Sequence, residues 1–259
     1  MKLRYVFAAA VIAFSLACGG TAAPSPAEPA VKQEVVMGVV PSQTSSIVQT
    51  NATLIAEYLS KKTGYHVTGQ VLTSYAAVTE GMTSDQVDIG WVGPLDYVIA
   101  HQKNGAEAVT KSVRKGLPSY KAFIIVNVNS GINTMADLKG KKFAFGDPTS
   151  ASSNLYPHYM MSKAGFDAKT LGQTVNISNQ TQIAVNVCQG VVDAGAIYDD
   201  ARSNVGADTS CPGIMTKTKI LAPPHPPVPA APQLPPPTPN PHRSFPAPAV
   251  SVTSVKVPS

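Results

Sequence analysis

Between Gln33 and Leu221 short apolar runs alternate with helix-length segments, and this alternation constrains the fold more than any other feature of the chain. "EVVMGVV" predicts a strand that Pro41 stops. "SSIVQTNATLIAEYLSKKTG" predicts a helix with Ile47, Leu54, Ile55, Tyr58 and Leu59 on its apolar face, two lysines in the last turn and Gly64 to end it. "HVTGQVL" and "VDIGWV" read as strands on either side of the helix "YAAVTEGMTSDQ". "GPLDYVIAHQKNG" reads as a helix with Pro94 at its first position. Further on, strands "AFIIVNV", "KKFAFG", "TVNISN" and "VVDAGAIY" interleave with helices "NTMADLKG", "SSNLYPHYMMSKAGF" and 180–190. Strands joined through helices need crossover connections, so the expected fold is α/β with mostly parallel sheets. A stretch of about 190 residues can bury one large or two small cores.

The ends of the chain read differently. Residues 1–17, "MKLRYVFAAAVIAFSLA", place Lys2 and Arg4 before an apolar run too short to span a bilayer, the pattern of a secretory signal peptide. Cys18 follows directly, and "SLAC" resembles a bacterial lipoprotein cleavage site, where the cysteine thiol becomes acylated. Ser15 and Leu16 stand in the reverse of the usual order, and ordinary cleavage nearby is the alternative. Residues 18–33 form a small, proline-bearing linker. From Ala222 to the end the chain holds 14 of its 23 prolines and no acid. Proline lacks a backbone donor and fixes φ, so 222–259 is expected to stay out of sheets and helices as a disordered tail. The abrupt change in composition matches out-of-frame translation of the C-terminal region; a genuine proline spacer is the other reading.

Charge excludes one class of partner. The net charge of +5 includes Lys2, Arg4, Arg243 and Lys256, leaving +1 for residues 18–221. No basic patch interleaved with aromatics exists, so nucleic acid is not expected. The five histidines and three cysteines show no metal-ligand spacing, and no cofactor is implied. Cys188 and Cys211 could pair in an oxidising compartment, but two cysteines make no disulfide framework.

"FAFGDPTSASSNLYPHYM", residues 143–160, carries the clearest chemistry. In parallel α/β sheets ligands lie at the carboxyl ends of strands, where helix N-termini point. Here a strand delivers Thr149, Ser150, Ser152 and Ser153 to the start of a helix. The first amides of a helix lack partners within it, and its dipole favours an anion. Hydroxyls add donors without bulk. Simple capping by Ser150 or Ser152 explains one such residue, and four exceed that need. "WVGP" is a second corner of the same kind.

Taken together, "YAAVTEGMTSDQVDIGWVGPLDYVIA", "MADLKGKKFAFGDPTSASSNLYP" and "GVVDAGAIYDDA" resemble the phosphate, phosphite and phosphonate-binding proteins of ABC importers, over about residues 35–221. The resemblance implies a two-lobed periplasmic-binding-protein fold with a hinge, lobe 1 over 34–118 and lobe 2 with the hinge strands over 119–221. It implies that Ser150, Ala151 and Ser152 grip the oxygens of a phosphorus oxyanion, that Tyr75 reaches in from the first lobe, and that Tyr120 lies near the hinge. Gln180 and Thr181 stand where many members carry a His-Asp pair, and Gln180 can still donate to an oxyanion. Asp200 matches a carboxylate that receives the amine of amino-phosphonates; a solvated loop acid is equally consistent. Family members often have Thr where Ala151 stands. Their returning C-terminal chain, with a ligand-binding Asp, has no counterpart in the proline-rich tail, so the first lobe is expected to be incomplete, the product poorly stable and unable to bind.

The function this implies is a lipid-anchored receptor, monomeric, that hands a phosphorus oxyanion to a membrane permease and performs no chemistry. A same-fold receptor for another small molecule, such as a sulfonate or a thiamine-like pyrimidine, is the nearest alternative. A ligand-sensing partner of a membrane signalling protein is a third reading. An enzyme using Ser150 or Ser152 as nucleophile needs a base within reach; His101 and His158 sit on predicted helices and are expected to be structural.

Overall fold

The computed structural model describes residues 34–113, 116–204 and 207–221, together with the backbone of 228–229 and 249–251. The signal segment, Cys18 and the linker lie outside the described residues.

The first half builds one parallel sheet. β1 (Glu34–Val39) is followed by α1 (Ser45–Thr63), β2 (His66–Val71), α2 (Tyr75–Thr83), β3 (Ile89–Trp91), α3 (Pro94–Asn104) and β4 (Glu107–Thr110). β1 pairs in parallel with β2 on one side and β3 on the other. The helices start and stop where local chemistry requires. Ser74 caps α2 by accepting the Ala77 N–H at 3.0 Å, and Pro94 opens α3. Gly64 and Gly105 end α1 and α3 in the left-handed conformation, at φ 79° and 72°.

The apolar face of α1 is only partly the one expected, with Ile55 and Leu59 packed on the core of this half. Leu54 and Tyr58 are about half exposed, while Val48, Ala52 and Ala56 are buried. The reason lies across the interface. A Cβ on Gly69 of β2 would sit 2.5 Å from the Ala52 carbonyl oxygen, so helix and strand approach too closely for large side chains. Small residues line the contact, and the larger apolar ones lie at its margin or outside it.

The second half builds a mixed sheet from β5 (Ser119–Tyr120), β6 (Ala122–Asn127), β7 (Phe143–Phe145), α4 (Tyr156–Lys163), β8 (Thr174–Asn176), α5 (Gln180–Cys188), β9 (Ala194–Tyr198) and β10 (Thr218–Ile220), with β5 outside the main sheet. Its order is β10-β6-β9-β7-β8. β7 runs parallel to β8 and β9, and β6 runs antiparallel to β9 and β10. β6, "AFIIVN", is buried on both faces. Ile124 and Val126 pack with Leu138, Phe143 and Met160 on one side. Phe123 and Ile125 pack with Ile183, Val187 and Ile197 on the other. Each fully buried side chain of this size stabilises the fold by about 1.5–3 kcal/mol. Cys188, closing α5, forms a disulfide with Cys211.

One expectation is corrected. β11 (Val228–Pro229) pairs with β5, and β12 (Ala249–Ser251) lies parallel between β3 and β4. The proline-rich segment therefore does contribute to sheets. Ala249–Ser251 follows Pro248 and regains the N–H groups that the preceding prolines lack, so a short parallel rung can form. Ala249–Ser251 thus adds one short rung to the first sheet. The rest of 222–259 lies outside the described residues. Among the described residues no helix is long and apolar enough to cross a membrane.

Candidate functional site

At the carboxyl end of β7 the chain turns through Gly146, Asp147, Pro148 and Thr149 into a turn of π-helix over Ala151–Leu155, which α4 continues. The wide turn closes through the Leu155 N–H donating to the Ser150 carbonyl at 3.1 Å. Glycine is required at 146, because a Cβ there would stand 1.7 Å from Ser153 Oγ. Ser153 is fully buried and donates to Ser150 Oγ at 2.8 Å. Ser150 Oγ also caps the turn by accepting the Ser153 N–H at 3.4 Å. Capping and packing thus account for Ser153 and part of Ser150.

Gln180 ties the remaining residues together. Its place at the first position of α5 is set by Asn179, whose side chain caps the helix through the Gln182 N–H. Gln180 Oε1 accepts the Tyr198 N–H at 2.8 Å, which fixes the amide's orientation, and accepts the Ser152 hydroxyl at 3.4 Å. Its Nε2 donates to Ser150 Oγ at 3.3 Å and to the Tyr75 hydroxyl at 3.5 Å. Tyr75, Ser150, Ser152 and Gln180 are all buried. Ala151 packs with Ala122, Leu95, Tyr120 and Tyr156, so the half-buried Tyr120 borders the same turn. Asp200 is half-buried, two residues past Tyr198 at the end of β9.

The cluster spans elements of both sheets. Tyr75 opens α2, and its N–H donates to Asp147 Oδ2 at 3.2 Å. Ser42, just after β1, accepts the Gln180 N–H at 3.1 Å. Asp147 also accepts the Thr149 N–H and hydroxyl and the Ser178 hydroxyl. Its carboxylate is therefore saturated and holds three segments in register. Burial, reinforced by Asp96, pushes the Tyr75 phenol well above its usual pKa, so it is a neutral hydrogen-bonding group.

Two residues were not singled out from sequence. Asp147 reads there as an ordinary turn acid before Pro148. Asp96, in the first turn of α3, reads as an acid complementing the helix dipole. In the structure it is fully buried, and neither carboxylate oxygen has a hydrogen-bond partner among the described residues. Burial raises its pKa to about 7, with Asp147 adding to the shift.

His101 meets the Ala106 carbonyl oxygen at 2.9 Å, and His158 stacks on Phe145 at 4.3 Å with its pKa lowered by burial. Neither is bonded to Ser150 or Ser152. An open hollow of about 500 Å³, lined by Pro41, Ser45, Ser46, Gln49, Val71, Leu72 and Thr73, lies at the carboxyl ends of β1 and β2.

The family model of the periplasmic substrate-binding protein of phosphonate ABC transporters matches residues 37–240. The chain belongs to this family. Among its relatives, the phosphate-import protein PhnD of Mycolicibacterium smegmatis is 29% identical over 206 residues, covering 74% of this chain and 64% of that one. The phosphonates-binding periplasmic protein of Escherichia coli is 28% identical over 190 residues, covering 71% and 55%. The chain thus spans less than two thirds of the length of either relative. PhnD1 of Prochlorococcus marinus, solved in complex with methylphosphonate, shares the fold with a TM-score of 0.66 at 22% identity, over 75% of this chain and 74% of that one. A binding component of an ABC phosphonate transporter from Pseudomonas aeruginosa has a TM-score of 0.64 at 23% identity, covering 75% and 66%.

Proposed function

We propose that this chain is the substrate-binding receptor of an ABC importer and takes a phosphorus oxyanion (a phosphonate, phosphite or phosphate) at the Ser150–Ser152 turn. The observation that carries this reading is the gathering of Ser150, Ser152, Tyr75 and Gln180 into one buried, hydrogen-bonded cluster at a helix start. Hydroxyls and the first amides of the turn supply neutral donors, and in a site shielded from water such dipoles hold an anion well. On this reading Tyr75 and Tyr120 border the bound group, and Asp200 receives the amine of an amine-bearing ligand.

The arrangement supports binding without chemistry. Ser150 and Ser152 meet the amide of Gln180, which cannot take up a proton, so neither hydroxyl has an activating base there. One relative is named as a phosphate-import protein and another as a periplasmic binding protein, and we extend those roles here: a receptor outside the cytoplasmic membrane, monomeric, anchored through lipid on Cys18 and docking on a membrane permease.

Calorimetric titration of the chain with phosphate, phosphite, methylphosphonate and 2-aminoethylphosphonate tests the reading. At least one should bind, and Ser150→Ala with Ser152→Ala should weaken it by about a hundredfold, as expected for two lost anion contacts. Unchanged affinity in the double variant sinks the assignment of the turn.

A further inference from the structure

Two helices of the site begin in the same way, and each gives its first amide to the opposite half of the molecule. The Ser74 side chain caps α2 by accepting the Ala77 N–H, and the Asn179 side chain caps α5 by accepting the Gln182 N–H. Each cap serves the third amide of its helix, and the first has no partner within the helix. Tyr75, the first residue of α2, donates its N–H to Asp147 Oδ2 at 3.2 Å, and Asp147 belongs to the second half. Gln180, the first residue of α5, donates its N–H to the Ser42 carbonyl at 3.1 Å, and Ser42 belongs to the first half. The two halves therefore cap each other.

Asp147 is the stronger side of this exchange. It is 4% exposed, and its two oxygens serve different segments. Oδ1 accepts the N–H and the hydroxyl of Thr149 and shapes its own turn. Oδ2 accepts the Ser178 hydroxyl as well as the Tyr75 N–H, so it stands between the starts of α5 and α2. A carboxylate taken out of water needs its donors in place. It also suits the positive end of α2, and its hydrogen bonds are stronger than those of a neutral oxygen. The Ser42 carbonyl is a neutral acceptor, and the contact of Gln180 Nε2 with the Tyr75 hydroxyl is long, at 3.5 Å.

We propose that Asp147 is a positioning residue of this site: by capping α2 from the second half, it latches the two halves together and holds the Tyr75 hydroxyl against Gln180 and the serine turn. Asp147 acts through Tyr75 and meets no ligand itself. When the halves part, the Tyr75 and Gln180 amides lose their partners together, and Tyr75 leaves the cluster. This rests on the receptor reading for what the latch serves, and deepens it; the latch itself is a property of the two halves.

Amide hydrogen exchange of the full chain, read residue by residue and corrected for intrinsic rates, tests the latch without a ligand. In wild type the Tyr75 and Gln180 amides should be protected to within about fivefold of each other, because one opening frees both; a wider gap overturns the proposal. Asp147→Ala should speed exchange at both amides by about tenfold or more, as loss of a hydrogen bond to a carboxylate implies. The Gln180 amide decides, because its own partner is Ser42 and not Asp147. Faster exchange at Tyr75 with Gln180 unchanged marks a local cap and overturns the latch. Thr149→Val removes a donor from Oδ1 alone and should leave Gln180 within about twofold of wild type; loosening as large as in Asp147→Ala makes the turn responsible and overturns the latch. If Asp147→Ala does not fold, the wild-type comparison of the two amides decides. Each of these failures leaves the receptor reading standing, whereas a latched chain that binds none of phosphate, phosphite, methylphosphonate and 2-aminoethylphosphonate overturns the receptor reading alone.

Discussion

A single buried carboxylate, Asp96, makes stability depend on pH near neutrality. Asp96 has its pKa raised from 3.8 to about 7, chiefly by burial. The folded state therefore holds its proton at pH values where the unfolded chain releases it. Stability from this group is fully present below the unfolded pKa and is lost as pH rises through the folded one. The loss across that window should be on the order of 4 kcal/mol. Asp96→Asn should remove it, so the difference in unfolding free energy between the variant and wild type should grow from pH about 4 to about 7; denaturant titrations across that range check it. The sequence did not mark this residue. An acid in the first turn of a helix is commonplace, and only the packing of α3 against the serine turn turns it into a buried, unmatched charge. Ser150, Ser152, Tyr75 and Gln180 were legible because the phosphate-type motif carries them. Their joining through one amide was not, since Gln180 lies far from Tyr75 along the chain.

At the scale of the element, α1 shows what periodicity misses. Its existence and limits were legible from "SSIVQTNATLIAEYLSKKTG" and Gly64. Its face was legible in part: Ile55 and Leu59 do pack on the core, but Leu54 and Tyr58 outweigh alanines in any reading by hydrophobicity, while close approach to Gly69 favours Ala52 and Ala56. Ala52→Leu should therefore destabilise by about 1–3 kcal/mol through overpacking. Leu54→Ala, on the exposed side, should change stability by no more than about 0.5 kcal/mol. Urea unfolding of the pair separates these outcomes, and equal effects would show the packing of α1 on β2 to be misjudged. The strands of the second sheet were read well, since "AFIIVNV" is apolar without interruption, as burial on both faces requires.

Across the whole molecule, charge has little to do. Residues 18–221 are nearly neutral in sequence, and on the proposed reading the described cluster offers a ligand hydroxyls, a carboxamide and turn amides. Ligand affinity should therefore vary by less than about threefold between low and high salt, whereas capture by exposed lysines would fall far more steeply. Repeating the calorimetric titration with added sodium chloride measures this directly. The α/β class and the mixed sheets were legible from the order of elements. The destination of the C-terminal segment was not, because proline content describes what a stretch cannot do locally and is silent on which distant strands await it.

The wedge of Ala249–Ser251 between β3 and β4 has a consequence for the order of assembly. Among the described residues β4 joins its sheet through that rung alone, and the two lie about 140 residues apart along the chain. So long a loop is slow to close, and until it does β3 and β4 each present an unpaired parallel edge, open to mispairing.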